Sequence, residues 1–193
     1  MPQRLGLAGL LLVAATSAAS AHVGDDASGF VSGLLHPIFG WDHVVAMVAV
    51  GLWGAFLGVP AIYILPVVFP VVMALGGVLG MNGIDLPFVE AGIGASGLVL
   101  GLMVAFAVRL PIAIAMVIVG VFAVFHGHAH GMELPGTANP FGYAVGFVVS
   151  TSLLHLAGIG LGALTSLPSG AVVVRSLGGL IALVGAAFLF GVA

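Results

Sequence analysis

Apolar runs of about twenty residues succeed one another through most of this chain, and that length crosses the hydrocarbon of a bilayer as a helix. In lipid every backbone polar group must find its partner inside the protein, so such runs can only become helices packed on helices. Hydrophobic residues make up 62% of the sequence and charged ones 5%, against roughly 25% charged in a soluble domain. The chain therefore reads as an all-α, polytopic membrane protein. A net charge of -3 with only three arginines leaves no basic surface for nucleic acid, and that class is set aside.

Residues 1–21 have the pattern of a secretory signal peptide rather than of a span. Arg4 is a positive start, Leu5 to Ala15 is apolar but short of a crossing, and Ala19-Ser20-Ala21 is a cleavage signal. Cleavage there would begin the mature chain at His22 and set a free amine beside an imidazole, a further metal-ligand candidate on the outer side. Residues 22–193 are then one transmembrane domain of six expected helices. These lie near Leu34 to Leu57, Ala61 to Met81, Phe88 to Val108, Pro111 to His130, Phe141 to Leu164 and Ala171 to Val192, with Pro60, Pro87, Pro111, Pro140 and Pro168 at the joins. Pro66 and Pro70 fall inside the second and are expected to kink it.

An outward N-terminus and six crossings place Arg109 and Arg175 on the cytoplasmic side, as the positive-inside rule requires. Asp85, Glu90 and Glu133 fall outside. Of the 31 glycines, many stand four apart: Gly54/Gly58, Gly76/Gly80, Gly97/Gly101, Gly142/Gly146 and Gly158/Gly162. That spacing lets helix backbones approach closely in lipid, and it is also compatible with a homo-oligomer.

Two segments conflict with the rest, because they carry ionisable side chains into apolar runs, where such groups are costly and usually functional. His36 to His43 reads HPIFGWDH at the outer start of the first span, and Phe125 to Glu133 reads FHGHAHGME at the outer end of the fourth. Histidine and carboxylate donors without any cysteine suit nickel, cobalt or zinc.

On a straight helix His36 and His43 share a face but stand about 10 Å apart along the axis, too far for one ion. Either Pro37 and Gly40 mark a break that folds His36 back, or the two belong to successive stations. Asp42 is either a ligand or a partner that orients an imidazole. His126, His130 and Glu133 fall on one face of a continuous helix, with His128 pointing elsewhere; an unwound segment would instead align His126, His128 and His130. His155, roughly 21 Å along the fifth span from Phe141, with Thr151 one turn above it, is a candidate inner polar station. Trp41, Trp53, Met47 and Met132 read as interface or packing residues.

At these residues the chain resembles the HupE/UreJ family of bacterial nickel and cobalt permeases. The family signature HPxxGxDH is met by His36, Pro37, Gly40, Asp42 and His43. Its FHGxAHGxE element is met by Phe125, His126, Gly127, Ala129, His130, Gly131 and Glu133. The resemblance implies a multi-pass protein of the bacterial inner membrane, not an enzyme, with a periplasmic N-terminus and no resident cofactor. It would import Ni2+, with Co2+ as second candidate, for hydrogenase or urease assembly. Metal ligands are then expected among His36, Asp42, His43, His126, His130 and Glu133, with His22, His128 and His155 as further candidates on the ion's path. Two other readings fit the residues: a membrane-embedded zinc hydrolase with Glu133 as base, and a haem protein with axial imidazoles.

Overall fold

The computed structural model describes residues 29–134 and 139–192; the expected signal peptide and His22 lie outside them. Among the described residues every regular element is helical. In chain order these are α1 (Gly29–Phe39), α2 (Trp41–Leu57), α3 (Ala61–Met81), α4 (Val89–Ala105), α5 (Ile112–Met132), α6 (Pro140–Gly162), a short 3-10 turn (Ala163–Ser166) and α7 (Gly170–Leu189).

The central helix is α2. Ala46, Met47, Ala49, Val50, Leu52 and Trp53 have no solvent exposure at all, so this helix is surrounded by protein where α3, α5, α6 and α7 each keep a lipid-facing stripe. On α3 that stripe is Tyr63, Val67, Val71, Leu75 and Val78, all exposed.

Glycines set the crossings. Where α3 meets α5, a β-carbon on Gly76, Gly80, Gly127 or Gly131 would strike a backbone carbonyl of the other helix. The same holds between α4 and α7 at Gly101 and Gly178, between α1 and α6 at Gly33 and Gly146, and between α2 and α6 at Gly51 and Gly158, where the added carbon would meet opposing backbone or side chain. Backbone-to-backbone approach replaces the hydrophobic effect, which does little between helices already in oil. Of the glycine pairs, Gly58 departs from the packing role: it caps α2 with φ 79° and faces open space.

Six crossings were expected, and length and apolarity among the described residues account for four or five of them. Four helices, α3, α5, α6 and α7, are long and apolar enough to cross, and α1 with α2 make a fifth if the pair is one span. That pair is the main correction. The expected single helix from Leu34 to Leu57 is broken at Gly40, where α1 and α2 meet at 80°. The expected third span shortens to α4, which has 17 residues. Its end is fixed by Ala107 at φ 55°, with Val108 N–H bonded to Met103 O at 2.9 Å and Ala107 N–H to Val104 O at 3.0 Å. This is a Schellman ending without the usual glycine.

The two arginines meet at one end of the bundle. Arg175 Nε–H donates to Ala105 O at 2.8 Å, the Arg109 guanidinium lies 4.8 Å from the Phe56 ring centre, and the Trp53 indole donates to Val108 O at 3.0 Å. Phe56 is thirteen residues beyond His43 on α2, about 20 Å by helical rise. The histidines of α2 and α5 therefore lie at the opposite end.

Candidate metal centre

The break at Gly40 makes the centre. Its extended backbone (φ -89°, ψ 105°) ends α1 and starts α2, and the turn swings His36 back over the first turn of the next helix. Seven residues that would span about 10 Å on a straight helix here bring the His36 and His43 rings to 5.9 Å between centres. The folded-back alternative, and not the two-station one, describes these two residues. Gly40 is also the residue that fits: a β-carbon there would sit 2.8 Å from His43 Nδ1 and 3.0 Å from Asp42 Oδ1.

The third imidazole comes from α5, which stays helical to Met132. Because Gly127 and Gly131 turn toward α3, the face about 100° away carries His126 and His130 toward α2. His130 stacks 4.8 Å from His36 and 4.4 Å from His43 between ring centres. One ligand nitrogen from each of His36, His43 and His130 lies within 4.8 Å of the other two. A modest closure would bring three such donors onto one ion at the roughly 2.0–2.1 Å of a metal–imidazole bond.

The carboxylates flank this triad. His43 Nδ1–H donates to Asp42 Oδ1 at 2.7 Å, which fixes the tautomer and leaves Nε2 as the lone-pair donor. Glu133 Oε2 lies 3.3 Å from His36 Nε2 and 3.8 Å from His130 Nδ1. The His36 ring beside Glu133 holds that carboxyl below its usual value, against partial burial, which acts the other way. A recess of about 460 Å³ leads down to these groups, lined by Ser32, Leu35, Phe39 and Gly40 with His36, Asp42, His43 and Glu133.

The remaining histidines divide. His126 is fully buried one ring further in, 5.2 Å from His43. Its Nδ1–H donates to Phe122 O at 3.0 Å, so Nε2 carries the free lone pair. His128 turns the other way and donates from Nε2 to Ile84 O at 2.7 Å, tying the segment between α3 and α4 to α5. His155 is buried on α6 and, like His126, packs against the Phe69 ring. Phe147, 4.2 Å from His130, and Tyr143, 6.3 Å from His36, wall the triad on the α6 side. Neither aromatic stands out in the sequence, since rings on an apolar helix read as packing; only their place opposite α5, invisible before folding, marks them.

Buried nitrogens without partners test whether a cation suits this cluster. His43 Nε2, His126 Nε2 and both ring nitrogens of His130 have no hydrogen bond among the described residues. Leaving a polar group buried and unpaired costs about 1–3 kcal/mol, so the three lone pairs among these, one on each ring, are a substantial cost unless a cation takes them. The rings meet at their edges, 4.4–5.9 Å apart between centres, which leaves no room for a macrocycle between axial ligands. Three imidazoles with an adjacent carboxylate also resemble a hydrolytic zinc centre, so the donor set alone does not separate a hydrolase from a carrier.

The sequence model of the HupE / UreJ protein family matches residues 10–188. The chain belongs to the HupE/UreJ family. It is 50% identical over 182 residues, 94% of its own length and 95% of the relative's, to Protein HupE of Rhizobium leguminosarum bv. viciae. No solved structure matches it. HupE/UreJ proteins are membrane transporters and accessory proteins rather than enzymes, which removes the hydrolase. In this HupE/UreJ protein it is the broken α1–α2 pair and the His-rich end of α5 that bring the three imidazoles together.

Proposed function

We propose that this protein carries Ni2+, with Co2+ as a second cargo, across the bacterial inner membrane into the cytoplasm by a secondary or facilitated route, supplying hydrogenase or urease assembly. The observation that carries the reading is the triad: three imidazoles from three separate helices, with donor atoms within 4.8 Å of one another, beside an open recess. A nitrogen-rich donor set favours late first-row divalent ions over Mg2+ or Ca2+, which prefer oxygen.

Asp42 and Glu133 give the recess negative charge that attracts a hydrated cation. The ion then exchanges water for imidazole stepwise, from half-buried His36 to buried His43 and His130. Binding has to stay weak enough for release inward. Bacterial cells expressing the protein should accumulate nickel, and Asp42→Ala or His43→Ala at equal membrane expression should reduce accumulation to background. Wild-type accumulation in both variants would end the assignment.

A further inference from the structure

Below the triad, polar groups continue inward in a line that transport as described so far does not use. His126 lies 5.4 Å from the Phe69 ring centre, and His155 lies 5.5 Å from the same ring. His155 is 1% exposed and neither of its ring nitrogens has a hydrogen-bond partner; Thr151, one helical turn earlier on α6, is fully buried with its hydroxyl equally unpartnered. Residues four apart on a helix are neighbours on one face. A carbonyl joins them from α3. Pro70 has no N–H, so the Pro66 carbonyl four residues before it loses its helical partner and is left to face His155.

A buried imidazole and a buried hydroxyl without hydrogen-bond partners are costly where no water competes. Packing alone does not explain this pair beside the Pro66 carbonyl, because an apolar residue at either side-chain position would be cheaper. Nor does close packing demand the histidine: the tight α2–α6 contact at this level is made through the His155 carbonyl against Gly51, not through its ring. We infer that His155, Thr151 and the Pro66 carbonyl form a second, inner station for the divalent transition ion, with Phe69 as the apolar partition between it and the triad. The inference rests on the transport reading. Its mixed nitrogen and oxygen donors make the inner station the weaker one, as a site that hands on its ion must be.

Nickel binding by the purified full-length protein, followed by equilibrium dialysis of radioactive Ni2+ in detergent, should show a tight and a weaker class of site. His155→Asn should lose the weaker class, keep the tight one, and lower cellular accumulation at least about tenfold, the scale on which losing even an outer partner of a ligand lowers metal affinity. Pro70→Ala gives the Pro66 carbonyl a helical N–H again and should weaken the same class without touching the tight one. If His155→Asn elutes as an aggregate, Pro70→Ala decides by the same two measurements. Wild-type accumulation and both classes of bound nickel in the soluble variants would overturn the inner station. Should His43→Ala abolish accumulation while that happens, the transport reading stands and only this inference falls; should His43→Ala leave accumulation intact, both fall.

Discussion

At the scale of single residues the decisive position is Gly40, which carries no donor. Asp42 and His43 are sequence neighbours whose side chains would diverge by about 100° on a regular helix, yet they meet at 2.7 Å because the chain has only just entered α2. The hydrogen bond occupies space that any larger residue at 40 would fill. Gly40→Ala should therefore separate Asp42 from His43 and free the imidazole to take either tautomer, with all ligands still present. Nickel affinity should fall about 10–100-fold, as for loss of a partner that orients a ligand, while helix content and expression stay unchanged. Nickel affinity equal to wild type in Gly40→Ala would show that the Asp42–His43 bond does not prepare the site.

At the scale of elements, α5 solves a geometric problem: it has to lie close to α3 and still present two imidazoles toward α2. Alternating glycine and histidine in HGHAHG does both, since Gly127 and Gly131 take the contact with Met73 and Gly77 while His126 and His130 fall on the next face. Gly127→Leu should push the helices apart at a cost of about 1–3 kcal/mol in stability and displace both histidines, lowering uptake sharply. Gly120→Ala, on the same helix, is the control: its added carbon would meet only the Val72 side chain, at 3.9 Å, and uptake should hold. Equal uptake in the two variants would mean that α5 does not position the ligands. This face was legible in the sequence, because the i, i+4 spacing of His126 and His130 survives in a continuous helix. The meeting of His36 with His43 was legible only as an alternative, since Pro37 and Gly40 announce a break but not its 80° angle. Phe69 was not legible: two prolines flank it closely and suggest a kink, but which side chain a kink presents inward depends on helices that the local sequence does not name.

At the scale of the whole molecule, the histidine triad lies at one end and Arg109 and Arg175 at the other, so the two ends should respond to different compartments. A protonated imidazole has no lone pair for a metal, so uptake should be full at neutral external pH and fall as that pH drops below about 6.5. Glu133, already held below the ordinary carboxyl value by His36, keeps its charge through this window, which leaves the imidazoles as the groups that respond. Uptake that is flat from neutral to mildly acid external pH would argue that histidines do not control admission of the ion. Orientation itself is open to direct test, because the chain has no cysteine and each introduced thiol is unique. Met132 is exposed beside the triad, and Leu167 is exposed between α6 and α7 at the arginine end. If the positive-inside rule holds for Arg109 and Arg175, a membrane-impermeant maleimide should label Met132→Cys in intact spheroplasts and leave Leu167→Cys unlabelled until the cells are opened. The reverse pattern would turn the recess toward the cytoplasm and make the triad a site of release or export. Labelling of both in intact cells would mean that the helices between them do not complete a crossing.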